Sequence, residues 1–393
     1  MKRIRAIATY SLLWILTTVP LVAQESPGWA SEHIDLNGYI KFLNTTAFRS
    51  LDSLSNDNLL HNRINLRVYA NDAFTAVLEV RNRVFWGTSV QNIPGYTSLV
   101  DTSVQDIDLS ALVVNEPALV ALSNIDRLYA DFHFDKWQII LGRQRINWGK
   151  NLVWNPNDLF NAYNFIDFDY EERPGADALR VQYYTTGSSS LEAAVNYAER
   201  WEDNTFSLKY NFHRFDYDFQ VLAGKYREDL VTGLGWEGAL GNMGFKGEMS
   251  YFTPQHEGQG SDAAFVGSVS FDYYFKNGLL LYLSTLYNGN GITKTGSFEI
   301  SQLDANSLDA KNLMPNRWSW FAQVSDALTP AINTELSVLY ARELQALLLM
   351  PQFAYQLAQN WDFDITAQLF YGEQDATFST LGNRVFLRFR YSF

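Results

Sequence analysis

The sequence predicts an all-β fold, a transmembrane antiparallel up-and-down β-barrel of about 18 strands, with 16 possible. Apolar and polar residues alternate with the period of a β-strand in recurring segments of about ten residues. The connections between these segments are alternately short and long. After the N-terminal region, no segment is suited to a membrane-spanning helix, because the best candidate, 344–361, contains four Gln and a Pro.

Residues 1–24 are predicted to be a signal peptide. Lys2, Arg3 and Arg5 precede an apolar run over 6–23, and polar residues follow. The alternative is an N-terminal membrane anchor. The chain has no cysteine, which excludes disulfides and a lipid attached to an N-terminal Cys. The net charge is −13, and a leader that carries only basic residues would leave the rest more acidic, which argues against nucleic acid as a partner.

Residues 25–393 are predicted to form a single barrel. The strand predicted at 229–240 is the weakest, because it contains Gly233, Gly235 and Gly238. Long connections at 88–123, 150–174 and 290–315 are expected to be external loops, if both ends of the barrel chain are periplasmic. The predicted strands span 33–47, 58–70, 74–87, 124–135, 137–149, 175–185, 190–200, 204–213, 216–228, 229–240, 244–254, 263–275, 279–289, 316–327, 332–343, 346–358, 361–373 and 383–393.

The charged face of each strand is expected to line the lumen, because Arg on the lipid face costs about 2–4 kcal/mol at mid-membrane. In the strand 137–149, Arg143 and Arg145 are placed inward, so that Gln144, Ile146 and Trp148 face lipid. The inward acids of later strands, at 218, 237, 248, 272, 335 and 364, form a thinner anionic side. The predicted basic wall, which we take as pore-lining and solute-contacting, consists of Lys41, Arg63, Arg67, Arg81, Arg83, Arg127, Arg143, Arg145, Arg180, Arg388 and Arg390. The alternative is that these arginines only pair with loop carboxylates.

The final stretch, 385–393, is apolar and aromatic on one face and ends on Phe393. It resembles the C-terminal signal of bacterial outer-membrane barrels, which the barrel-assembly machinery reads. This resemblance implies that Tyr391 and Phe393 act as an assembly signal. The alternative is an edge strand of a soluble β protein.

The segment 141–180 carries the densest local motif. It contains G-R-Q-x-x-x-W-G, then N-P-x-D, then R-P-G-x-D-x-x-R. This pattern resembles Gram-negative porin-like barrels, near the alginate-export and DUF1302-type outer-membrane proteins. The resemblance implies passage of a polar solute through the lumen. The arginine constriction of alginate exporters is not matched residue by residue, so alginate itself is not implied.

The loop 150–174 is rich in aromatic rings and carboxylates, and we expect it to fold into the barrel as a constriction. Packing on the outer rim or on a partner is the alternative. The candidate constriction residues are Trp154, Asp158, Asp167, Asp169, Glu171 and Glu172.

The sequence predicts no enzyme, cofactor or metal site, because it lacks nucleophile-elbow, H-E-x-x-H, phosphate-loop and EF-hand spacings. The expected function is a passive outer-membrane channel for small polar or anionic solutes, including saccharides. The alternative is a barrel plugged by its own loops that displays 88–123 and 290–315 to partners. The expected partners are outer-membrane lipid, the assembly machinery and the solute; the sequence does not predict an oligomeric state.

Overall fold

The computed structural model describes residues 28–50, 53–101, 107–162, 173–185, 187–255, 262–293, 308–374 and 377–393. The signal peptide expected over 1–24 lies outside these residues and stays a prediction. Among the described residues, no helix has the length and apolarity to span a membrane.

The described strands form one closed antiparallel sheet. Each strand pairs with its neighbour along the barrel, and the last strand pairs with the first. The predicted all-β barrel and its count of 18 strands are therefore confirmed. The strands are β1 (Ile34–Phe48), β2 (Leu54–Asn71), β3 (Phe74–Gly87), β4 (Ser110–Glu116), β5 (Leu119–Phe134), β6 (Trp137–Gln144), β7 (Ala176–Tyr184), β8 (Ser190–Asn196), β9 (Thr205–Arg214), β10 (Tyr217–Tyr226), β11 (Asp229–Leu240), β12 (Met243–Pro254), β13 (Ala264–Tyr274), β14 (Leu280–Asn288), β15 (Trp318–Thr329), β16 (Ile332–Ala341), β17 (Ala346–Ala358), β18 (Trp361–Gln374) and β19 (Thr377–Ser392).

One described strand, β4, is not part of the closed barrel wall. It pairs only with β5, in a hairpin whose partners include Glu116 and Leu119, whereas β5 continues around the barrel to β3 and β6. The segment 88–123, predicted to be a long external loop, therefore contains a strand and the start of β5. The apolar residues on both sides of Pro117 are the sequence signal of this hairpin.

In the described part of the chain, three short helices lie beside the strands: α1 (Trp29–His33), α2 (Thr88–Asn92) and α3 (Tyr96–Val100). A 3₁₀ turn spans Trp201–Asp203. The connections alternate in length, which gives the barrel a short-turn end and a long-loop end.

The two faces of the strands differ as alternation predicts. On β1, Ile40 is exposed on the outer face, whereas Lys41 is fully buried. Outward aromatic pairs lie near the short-turn end, with ring centroids 4.6 Å apart for Trp137 and Tyr183 and 4.9 Å apart for Trp361 and Tyr391. An apolar outer surface bordered by aromatic rings is what a lipid bilayer requires of a barrel.

Two apolar clusters fill part of the interior. The large inner cluster joins residues of 146–159 and 310–314 to inner-face residues of β7, β8 and β10–β18. The small inner cluster joins Val90, Tyr96 and Val100 to inner-face residues of β1, β2, β3, β5 and β19. Parts of the long connections 88–123 and 290–315 thus lie inside the barrel.

The barrel closes through ten residue pairs between β1 and β19, from Tyr39 opposite Ser392 to Phe48 opposite Asn383. Phe393 extends this seam beyond the strand. Its backbone N–H and C=O each bond to Gly38, with N···O distances of 3.0 Å.

Deleting Phe393 should lower the yield of folded barrel, because it removes two backbone hydrogen bonds from the closing seam and the terminal ring. The measurement is the fraction of heat-modifiable protein on gels after expression. Phe393→Ala keeps the backbone pair and removes only the ring, and so separates the two contributions. Normal assembly of the truncated chain would contradict an assembly role for the C-terminus.

Candidate functional site

The chain leaves the barrel wall after Gln144 and crosses the interior. We call residues 145–162 the constriction segment. Ile146, Trp148, Trp154 and Asn157 of this segment are each almost completely buried. The Trp154 ring lies 6.4 Å from the Phe321 ring on β15, far around the barrel from β6. The first part of the loop expected to fold inward therefore lies inside the barrel.

Glu248 on β12 anchors the constriction segment. Its carboxylate accepts hydrogen bonds from the backbone N–H groups of Lys150, Asn151 and Asn157; the last two N···O distances are 3.0 and 3.1 Å. Ser250, on the same face, donates from Oγ to Oδ1 of Asn157 at 2.8 Å. An irregular segment inside a barrel has unpaired backbone donors, and this carboxylate supplies acceptors for three of them.

Gly233 of β11 makes room for this segment. A Cβ on Gly233 would lie 2.6 Å from Oδ1 of Asn157, which is too close for a carbon–oxygen contact. Next to it, Gln220 on β10 donates to the Trp148 carbonyl at 2.8 Å. Two of the three glycines that made this strand the weakest prediction, Gly233 and Gly235, therefore reflect inner-face packing, whereas Gly238 lies against the Tyr217 ring.

The side chain of Trp148 lies within the barrel, so the prediction that it faces lipid is wrong. Its Nε1 donates to Glu192 on β8 at 2.6 Å, and the Lys209 Nζ lies 4.9 Å from its ring centre. Ile146 and Gln144, predicted to share this lipid face, are also buried. For Ile146 and Trp148 the prediction failed because β6 ends at Gln144, so strand alternation no longer governs the residues that follow. Gln144 is buried because its amide donates to the backbone carbonyls of Ile140 and Ala178, both at 3.0 Å.

Acidic side chains pair with five of the ten arginines predicted to face inward. Arg63 contacts both Glu79 and Asp126, the latter at 2.5 Å, and Arg81 lies 3.2 Å from Asp126. The other such pairs are Arg143–Asp177 at 2.8 Å, Arg180–Glu192 at 2.6 Å and Arg388–Asp364 at 2.6 Å. All these acids belong to barrel strands rather than to loops.

Asp126 is a residue of the candidate site that sequence reasoning missed. The β3–β5 register shifts between Glu79 and Val80, so Asp126 is an extra residue opposite β3. At such a bulge, two successive side chains can share one face. Asp126 and Arg127 are both buried, although strict alternation would separate them. Nothing in the local sequence distinguishes this bulge from regular strand.

The remaining basic candidates occupy three kinds of environment. Arg127 donates to the Asp126 carbonyl at 2.8 Å, and Arg83 donates to the Val100 carbonyl at 3.0 Å. Lys41 and Arg390 lie 5.7 and 4.3 Å from the Tyr39 ring centre. Arg67 and Arg145 are exposed. The predicted basic wall is therefore not a continuous row of solvent-facing cations.

The exposed residues of the constriction segment are basic, polar or aliphatic. Arg145 and Asn147 are exposed, and Leu152 has 54% of its surface accessible. Lys150 is partly accessible, with Nζ 3.4 Å from Glu237. Asp158, Glu192 and Glu248 lie close by but are almost completely buried. The charge presented to solvent by this segment is thus positive, although carboxylates surround it.

Asp158 is the only loop carboxylate among the candidates that falls within the described residues; Asp167, Asp169, Glu171 and Glu172 lie outside them. Burial raises the pKa of Asp158 to about 6, against the opposing effects of Arg173 and the Trp148 N–H. The Arg173 guanidinium lies 3.2 Å away. Asp158 thus contacts both Trp148, just before the loop, and Arg173, near the end of the loop.

Solved barrels resemble this fold, whereas the chain matches no family model and no curated protein sequence. The outer-membrane protein OpdK from Pseudomonas aeruginosa has a TM-score of 0.56 at 9% identity, over 91% of this chain and 99% of that chain. Pseudomonas aeruginosa OprD has a TM-score of 0.57 at 10% identity, over 92% and 95%. Acinetobacter baumannii OccAB4 has 0.56 at 9%, over 92% and 99%. OpdK is also known in a structure with vanillate. At these identities the similarity concerns the fold.

Glu248→Gln should loosen the constriction segment, because the amide group turns a donor toward backbone N–H groups that need an acceptor. Each buried group left unpaired costs about 1–3 kcal/mol, so hydrogen exchange at Asn151 and Asn157 should accelerate about fivefold or more. Glu335→Gln is the matched control, because Glu335 bonds to Gln323 and Ser337 and not to the segment. Equal exchange in wild type and Glu248→Gln would contradict the anchoring role.

Proposed function

We propose that this chain is an outer-membrane channel for the passive diffusion of small polar or anionic solutes, including saccharides. The observation that carries the proposal is the constriction segment, a buried and anchored stretch of chain that crosses the interior of a closed barrel. Selection would follow from the width left beside this segment and from the charges exposed on it. No chemical step is required of the residues that we describe.

The outer surface supports a membrane location. Its exposed apolar residues and its aromatic pairs near the short-turn end match the needs of a bilayer. The similar folds of OpdK and OprD favour the same compartment. Export by the signal peptide over 1–24 and recognition of Tyr391 and Phe393 by the assembly machinery are part of this proposal.

The charge arrangement supports a modest preference for anions. Charges on outer loops act weakly inside the barrel, because the Debye length is about 8 Å at physiological ionic strength. Charges along a low-dielectric lumen act at close range. The carboxylates near the constriction, such as Asp158 and Glu248, are buried, whereas the side chains of Arg145 and Arg67 are exposed. The OpdK structure with vanillate, a small aromatic carboxylate, is consistent with such a solute.

The second candidate function is a surface protein whose barrel is plugged. The observation that favours it is the pair of inner clusters, which bring 88–100 and 310–314 inside the barrel in addition to the constriction segment. In that case the external faces of the long connections would bind a partner. Steady conductance in a planar bilayer separates the two functions, because it requires an open lumen.

In a planar bilayer with a salt gradient, the wild-type protein should show conductance steps and a reversal potential of anion-selective sign. Arg145→Ala should shift that potential toward cation selectivity, because it removes an exposed charge from the constriction segment. Arg200→Ala removes the same charge from an exposed loop position and should leave the potential unchanged.

Two outcomes would contradict the proposal. Cation preference in the wild type would contradict the proposed preference for anions. Equal reversal potentials for wild type and Arg145→Ala would mean that this arginine does not act on permeating ions. No conductance from well-folded protein would favour the plugged barrel.

A further inference from the structure

A cavity of about 400 Å³ lies at the short-turn end of β13–β17, away from the constriction segment. Tyr274, Leu280 and Gln352 line it together with Asn333, Glu335 and Asp326. The volume falls within the range of small-molecule sites, about 300–1,000 Å³. The proposed diffusion pathway does not account for a recess in the wall at this place.

The cavity opens on the inner face of the barrel. Phe321 on β15 belongs to the large inner cluster, and Gln323 follows it by two residues on the same face. Gln323 donates to the Glu335 carboxylate at 2.8 Å, which places Glu335 on the inner face too. Gln352 pairs with Glu335 across β16 and β17. A solute that enters the barrel can therefore reach this group of side chains.

The polar lining is acidic and neutral. Two acidic residues, Glu335 and Asp326, contribute to the lining, Glu335 from the inner face, and none of the described lining residues is basic. The Glu335 carboxylate accepts hydrogen bonds from Gln323 and from Ser337 Oγ, the second at 2.9 Å. A carboxylate has about four acceptor positions, so these two bonds leave capacity for a further donor.

The remaining lining suits the organic part of a ligand. Tyr274 contributes a ring that is 68% exposed, and Leu280 contributes an aliphatic surface. An aromatic face attracts cations that carry apolar groups. Asn333 and Gln352 add amide groups that can accept or donate.

We propose that this cavity binds small organic ammonium compounds. In this site Glu335 is the counter-ion, Tyr274 provides the ring surface, and the amides of Asn333 and Gln352 accept the remaining ammonium protons. The site goes beyond the proposed channel function, because the constriction segment exposes basic groups whereas this cavity exposes an acidic one. It gives the barrel a second selectivity, for positively charged solutes, at its short-turn end.

The test uses n-butylammonium as the probe, with the folded full-length barrel in detergent and binding followed by ligand-observed NMR. The uncharged n-butanol and the anionic butyrate have the same chain length and should bind much more weakly. Glu335→Gln keeps the shape of the side chain and removes its charge, and should weaken n-butylammonium binding about tenfold. Tyr274→Leu should weaken it by a smaller factor.

Glu237→Gln is the matched control. Glu237 is a half-buried carboxylate of the barrel interior on β11, outside the cavity, and pairs with Lys246 at 2.6 Å. This variant should keep wild-type affinity. Equal loss in Glu237→Gln and Glu335→Gln would overturn the proposal in favour of diffuse electrostatics, and equal binding of n-butanol would overturn it in favour of apolar adsorption.

The site remains testable if Glu335→Gln does not fold, because Tyr274→Leu changes only an exposed ring. Unchanged affinity in a folded Tyr274→Leu variant would then count against the site. Binding in detergent does not require an open pore, so absence of conductance would refute the channel without refuting this site.

Discussion

The contact between Glu248 and three backbone N–H groups is the interaction on which the interior of this barrel depends. A barrel of this size is wide enough for an aqueous lumen, and a chain segment that crosses it has no neighbouring strand to pair with. Glu248 supplies the acceptors, Gly233 supplies the space, and Ser250 fixes the Asn157 amide. Together they turn an irregular loop into a fixed wall of the lumen.

The anchoring of the constriction segment also decides which charged side chains face the lumen. Carboxylates near the constriction are committed to structure: Glu248 to backbone donors, Glu192 to Trp148 and its basic partners, Asp158 to Arg173. Buried pairs of opposite charge present little net field to the lumen, whereas an exposed arginine lies at the solvent boundary. The acidic composition of the chain is therefore a poor guide to the charge of the barrel interior. The positions and burial of the charged residues matter more for the barrel interior than the net charge of the chain.

Alternation predicted the wall of the barrel well, because β-strand geometry forces side chains to opposite faces. Lys41 and Arg63 lie inside and Ile40 lies outside, as the pattern indicates. The same rule failed where the chain stops being a regular strand. Trp148 lies past the end of β6, and Asp126 sits in a bulge.

The residues that contact the constriction segment could not be predicted from the sequence either. Glu248 and Asn157 are 91 residues apart, and their contact depends on the curvature of the whole barrel. Inner-face glycines such as Gly233 were a usable signal, because a strand has little reason to contain them unless another backbone approaches. The apolar residues on both sides of Pro117 were a second usable signal, in this case of the hairpin between β4 and β5.

The most direct test of this account is chemical modification of one side chain during conductance recording. Leu152 is the most exposed apolar residue of the constriction segment, and the chain has no native cysteine. Leu152→Cys would place a single thiol there. Addition of a membrane-impermeant, positively charged methanethiosulfonate to an open channel should reduce its conductance in one step and increase its anion preference. Unchanged conductance after complete modification would contradict a constriction at this segment.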